Sequence, residues 1–325
     1  MGRHIRNIRC LLSVCAILLT APLIFSCCTK RNDKPEVERP DKYYYSQLDD
    51  EQKNFYNRLL SMPVGESSII VKLKTPLKFE SKTSEPDESE KQALMDEVQR
   101  IAQGAIDAFS TDNPEIFWID FSRSYTNVEF SGKGNKSGYQ WIVKEIRFNI
   151  SIKEQFRDNL SEAAERLNGI ISEFAPEGET IYEKVQYIHD YICKTNTSDT
   201  GAENQYSIYG ALVDGRSVCQ GYAQAFKALC DRSGITCICV VGTAQGENHM
   251  WNYVRMEDGL WYAIDTTWDD RTPVRYTYFL VGSDTITDSD QNKTFSETHI
   301  STGDISRTGI IEFSLPTLSP IAYMP

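Results

Sequence analysis

Three residues in the second half of the chain have the types and surroundings to form covalent bonds. Cys219 lies in Gly215-Arg216-Ser217-Val218-Cys219-Gln220-Gly221-Tyr222-Ala223, where a glycine-bearing loop runs into the helical pattern Tyr222, Phe226, Leu229-Cys230. That pattern predicts a helix with Cys219 at or near its first turn. Unpaired backbone N–H groups and the helix dipole favour negative charge there, so the thiol's pKa falls and the nucleophilic thiolate forms. The same N–H groups can stabilise an oxyanion. His249 opens the strand-like run His249-Met250-Trp251-Asn252-Tyr253-Val254, after a strand signal at Ile238, Val240 and Val241 and a loop over 242–248. Asp265 ends Trp261-Tyr262-Ala263-Ile264-Asp265, just beyond the Asp258-Gly259 turn. On two strands joined by a hairpin, Asp265 can lie beside His249, where a carboxylate fixes the imidazole tautomer and stabilises the imidazolium.

Other reactive residue types compete with these. Asp269 and Asp270 follow Trp268 and are expected to cap or turn the strand's end. Trp251, Trp261 and Trp268 are expected to be core, and His189 to lie on a helix face. His299 falls in a weakly patterned tail and carries no assignment. Asp288, Asp290 and Asn292 mimic the start of a calcium loop, but Lys293 stands where glycine is needed and His299 where glutamate is needed. Cys237 and Cys239 with Cys230 could hold zinc only if a fourth ligand came near. No metal or cofactor is expected.

Order and spacing together resemble the bacterial transglutaminase-like superfamily. The resemblance rests on V-C-Q-G-Y-A, then G-I-x-C-x-x-V-x-G, then H-M-W-N-Y-V, then D-G-x-W-Y-x-x-D-x-T-W-D-D, and covers about residues 178–282. It implies an α+β fold with a papain-like core, in which a Cys-bearing helix packs on an antiparallel sheet. It maps the nucleophile to Cys219, the general base to His249 and the orienting acid to Asp265. An upstream polar or aromatic side chain is expected as a second oxyanion donor, with Tyr209 preferred over Tyr206. The implied chemistry is acyl transfer through a thioester, with a protein or peptide as partner, peptidoglycan peptides included. Hydrolysis is the leading expectation. Amine transfer to a protein glutamine or a peptidoglycan peptide is the second, and a catalytically silent cell-envelope binding module the third.

Several elements must position these residues. Leu94, Val98, Ile101, Ala105 and Phe109 make one face of an amphipathic helix. Residues 68–73, 116–121, 125–130 and 139–150 read as strands, with a turn at Gly132–Asn135. A helix is expected over 153–174, then a break at Ala175-Pro176-Glu177-Gly178, then a helix over 180–192. Residues 276–280 fit a further strand of the core. The expected organisation is a signal peptide over 1–26, a tether over 27–42, an N-terminal α/β region over 43–175, the catalytic core over 176–285 and a C-terminal tail over 286–325.

Composition bounds the rest. The 325 residues are 40% hydrophobic and 25% charged, enough for a real core. A net charge of −12 makes nucleic acid a poor partner. The N-terminus has the layout of an export signal: Arg3, His4, Arg6 and Arg9, then an apolar run from Cys10 to Phe25. Leu23-Ile24-Phe25-Ser26-Cys27 resembles a lipobox, which would make Cys27 an acylated, membrane-anchored N-terminus facing the periplasm or cell exterior. Cleavage there would leave 31 basic and 46 acidic residues, a net −15. With Cys219 set aside, Cys28, Cys193, Cys230, Cys237 and Cys239 are an odd number, so at least one is free or paired between chains.

Overall fold

A computed structural model describes residues 7–12, 42–82, 88–135, 138–306 and 308–325, the first of these and residue 135 by their backbone alone. The expected anchor at Cys27, its tether and most of the signal lie outside the described residues. The chain divides into two compact units. One contains 48–106 and 118–158 with the N-terminal strand, and the other contains 41–47, 107–117 and 159–325.

The first unit is a helix-covered antiparallel sheet. Its strands β1 (Asn7–Leu12), β2 (Ser68–Ser81), β3 (Tyr125–Asn135) and β4 (Gly138–Asn149) take the order β1-β3-β4-β2. The edge strand β1 falls within the segment read as an export signal. Helix α1 (Asp50–Leu60) starts where Asp49 and Gln52 form a reciprocal capping box, satisfying two end N–H groups. It buries Phe55 and Tyr56, and Phe55 meets Phe148 of β4 edge to face. The apolar stripe expected over 94–109 lies on α2 (Glu88–Asp112).

Two expectations here are corrected. Residues 116–121 are not a strand: they form turns, and Ile119 makes one isolated bridge to Ile152. The helix expected over 153–174 is a short 3-10 turn at Glu154–Phe156 followed by α3 (Leu160–Glu173). The two units divide at 158/159, and the 175–178 break is a separate feature. That break separates α3 from α4 (Ile181–Thr195) inside the second unit.

The second unit is α+β. Two short strands, β5 (Thr197–Ser198) and β6 (Arg216–Ser217), pair in parallel ahead of α5 (Cys219–Arg232). Helix α5 packs on β7 (Cys237–Ala244) and β8 (Glu247–Arg255), which continue to β9 (Trp261–Ile264). The turn α6 (Thr266–Asp269) follows directly. The segment expected as a strand over 276–280 forms turns instead, and Val281 bridges Ala263 beyond β9.

The stretch taken as a tail is largely structured. A hairpin of β10 (Ile286–Asp288) and β11 (Lys293–Thr294) leads to the turn α7 (Phe295–Thr298) and the strand β12 (His299–Thr302). Asp288, Asp290 and Asn292 belong to this hairpin, where Asp288 accepts from the Gln291 N–H. Strand β12 joins the sheet, giving the antiparallel order β12-β7-β8-β9. Strand β7 is therefore central and almost wholly buried, which accounts for its unbroken apolar run. Gly242 permits this packing. A Cβ there would sit 2.1 Å from the Ile300 carbonyl oxygen of β12 and 2.7 Å from the Trp251 ring of β8. Among the described residues, no helix is long and apolar enough to cross a membrane.

Candidate active site

Cys219 is the first residue of α5, with Val218 as N-cap. Val218 offers no side-chain acceptor, and the helix's own bonding begins with the Tyr222 N–H on the Val218 carbonyl. The N–H groups of Cys219, Gln220 and Gly221 thus have no acceptor within the helix. Close packing fixes this turn. A Cβ at Gly221 would lie 2.5 Å from Cβ of Ser217, which is itself fully buried and held by the Asn196 amide at 2.8 Å.

Strand alternation arranges the partners. On β8, His249 and Trp251 share one face, and Asn252 takes the other, where its amide donates to the Ala223 carbonyl of α5 at 3.0 Å. Asn252 pairs with Ile264, so Asp265 comes diagonally past His249 as the chain leaves β9. His249 Nε2 lies 2.6 Å from Asp265 Oδ2, and both residues are buried. That leaves His249 Nδ1 for the thiol, and His249 acts to lower the Cys219 pKa. Trp251 and Trp268 lie 6.0 and 5.3 Å from the imidazole, centroid to centroid, and keep its flanks dry.

The charges follow from these contacts. Burial pushes the Cys219 thiol up, but the His249 hydrogen bond and charge, with the Met250 N–H, bring its pKa below the ordinary value. Burial disfavours the His249 imidazolium. Asp265, by charge and hydrogen bond, overcomes that and pushes its pKa up to about 10. Asp265 would be raised by burial, yet His249 and then His299 hold it well below the usual carboxylate range. The arrangement favours a thiolate–imidazolium pair over the neutral couple.

The rival residues are placed elsewhere. Asp269 meets His189 Nε2 at 3.3 Å, and Asp270 accepts from the Tyr222 hydroxyl at 2.5 Å. Tyr209, the preferred second oxyanion donor, stacks on Phe117 at 5.1 Å, and its hydroxyl oxygen accepts from Arg166 of α3 at 3.4 Å. Tyr206, the other candidate, is 62% exposed. His189 is not a surface residue of its helix. It is fully buried, with Nδ1 3.1 Å from Asp190 and Cys193 Sγ 4.0 Å from Nε2.

That makes a second Cys–His–Asp group, and burial separates it from the first. Cys193 sits late in α4, far from a helix N-terminus, and burial raises its thiol. Cys230, Cys237 and Cys239 are likewise buried free thiols, so Cys219 alone of the five cysteines in the second unit is partly exposed. Cys28 lies outside the described residues.

One site residue was missed. His299, the first residue of β12, is buried with Nε2 3.2 Å from the same Asp265 Oδ2. Its only advance signal is the Thr294/Glu297 capping box that starts α7 and delivers it. Among the described residues, His249, Asp265 and His299 are the group whose ligand atoms could surround a metal. The 2.6 Å His249–Asp265 separation is that of a hydrogen bond. Two ligands of one zinc ion, each bonded at about 2.1 Å, would stand roughly 3.4 Å apart. The donor set as placed fits shared protons better than an ion.

Residues 170–266 match the family model of the transglutaminase-like superfamily, so this part of the chain is a transglutaminase-like domain. Two curated relatives are similar to it. The kyphoscoliosis peptidase of Mus musculus is 24% identical over 173 residues, covering 45% of this chain and 26% of that protein. The kyphoscoliosis peptidase of Homo sapiens is 28% identical over 119 residues, covering 31% of this chain and 18% of that protein. A crystal structure of a TGase aligns with a TM-score of 0.27 and 17% identity, over 42% of this chain and 43% of that one.

Proposed function

We propose that this chain is an exported, thiol-dependent hydrolase of peptide or isopeptide bonds. The observation that carries the reading is Cys219 on the first turn of α5, its thiol pKa lowered by a His249 that Asp265 holds at 2.6 Å. The thiolate attacks the amide carbonyl carbon, and the oxyanion faces the N–H groups of the first turn. The C–N bond breaks, the Nδ1 proton of His249 passes to the leaving amine, and a thioester remains. Water then attacks the thioester as His249 takes its proton, the C–S bond breaks, and the acid is released with the thiolate–imidazolium pair restored. The peptidase names of the two relatives support water as the acceptor. Export and a lipid anchor at Cys27 rest on the basic start, the apolar run and the Leu-Ile-Phe-Ser-Cys sequence.

The test is turnover of a peptide and muropeptide library by the purified protein and by Cys219→Ala, with and without a labelled primary amine. Products carrying a new carboxylate, absent with Cys219→Ala, are expected. Cys219-dependent amine incorporation without hydrolysis would replace water by an amine as the acceptor. Full activity in Cys219→Ala would sink the mechanism.

A further inference from the structure

His299 lies outside the matched segment, yet it completes the surroundings of Asp265. The Asp265 carboxylate receives three donors: the Trp268 N–H on Oδ1 at 3.1 Å, and His249 and His299 on Oδ2. Trp268 and His249 alone leave Oδ2 bonded only to the ring that must itself be kept in place.

The tautomer of His299 follows from its neighbours. Oδ2 can only accept, so Nε2 must carry the proton. Burial holds the His299 pKa below its ordinary value, which keeps the ring neutral and leaves Nδ1 bare. Thr298 Oγ1 stands 3.0 Å from that nitrogen, though the Phe295 and Thr294 carbonyls also lie within reach of its single proton. Thr287 Oγ1, 3.3 Å from Thr298 Oγ1, can donate to it when it turns toward the ring. The ring is clamped by packing as well. Phe295 stacks on it at 4.3 Å, and Trp268 meets it at 4.6 Å.

We propose that His299 is a positioning residue which, as the Nε2–H tautomer, donates to Asp265 Oδ2 and fixes the carboxylate plane that aims His249 at Cys219. This rests on the thiol-enzyme reading for its purpose, but not for its geometry. The residue acts through Asp265 and has no step of its own in the chemistry. Its supply from β12 makes the last strand of the sheet part of the site.

The test is 15N NMR of histidine-labelled full-length protein, with His299→Gln, His299→Asn and His299→Phe alongside. In the parent, His299 should show a protonated Nε2 and an unprotonated Nδ1. A glutamine amide can reach the Nε2 position, whereas an asparagine amide reaches only that of Nδ1. Gln should therefore preserve the His249 Nε2 proton signal and the rate of Cys219 alkylation, while Asn and Phe should shift the signal and slow alkylation about tenfold. A protonated Nδ1 on His299, or Gln behaving as Asn does in folded protein, would overturn the proposal. Should the parent Cys219 alkylate no faster than an ordinary thiol, the hydrolase reading falls, and the NMR results still decide the role of His299.

Discussion

Asp265→Asn changes one atom and tests the charge at the centre of the site. An asparagine has one acceptor oxygen where the aspartate presents two to three N–H donors. If the amide oxygen faces the two histidines, its NH2 opposes the Trp268 N–H. If it faces Trp268, the NH2 meets His249 Nε2, which must shed its proton to accept. The proton then sits on Nδ1, toward the thiol, and the ring can no longer act as base. The His249 pKa, about 10 against an ordinary 6.5, corresponds to roughly 5 kcal/mol in favour of the imidazolium. Asp265 is the foremost of the groups that raise it, ahead of Cys219. We expect Cys219 alkylation by iodoacetamide at neutral pH, read by peptide mass spectrometry, to fall about 100-fold or more. The sign of the pH effect is fixed as well. The parent keeps its ion pair until pH approaches 10, and the variant should lose it at lower pH. Alkylation within about threefold of the parent's, with an unmoved alkaline limb, would refute the electrostatic account.

Two further outcomes concern packing and burial. Gly242→Ala places a methyl group against the Ile300 carbonyl and the Trp251 ring, and should cost about 2–4 kcal/mol in urea unfolding. A loss below 0.5 kcal/mol would mean that β12 is not held where the structure places it. His189→Leu leaves the fully buried Asp269 without its imidazole partner and should cost about 3–5 kcal/mol. The same denaturation curves check it, and an unchanged midpoint would count against a charged His189.

The sequence made the site legible where chemistry and local pattern coincide. Cys219 was readable because a loop glycine, a helical period and a thiol meet at one point. His249 and Asp265 were readable because hairpin geometry brings their two strands together. His189 is expected on a helix face, and periodicity identifies a face without showing what covers it. Of its partners, Asp190 is the next residue of the same helix, but Asp269 comes from α6. The 116–121 and 276–280 segments carry β-favouring residues but no strand partner over their length, and propensity yields to tertiary context there. Tyr209 is expected as an oxyanion donor only through the resemblance, and in the structure its ring stacks on Phe117 while its hydroxyl accepts from Arg166. His299 had no local signal of function, since its place depends on an antiparallel pairing with a strand some 55 residues earlier.

That pairing has a consequence for anyone handling the domain as a fragment. The segment 170–266 that matches the family model ends before β12. A polypeptide cut to those limits would retain Cys219, His249 and Asp265 but present the bare backbone of β7 as an edge. Central strands are built without the charges, prolines or bulges that keep natural edges from pairing with other molecules. Cys237–Ala244, with Ile238, Val240 and Val241 in succession, has none of those protections. The excised piece would be prone to self-association through β7, and its insolubility would say nothing against the chemistry of the intact chain.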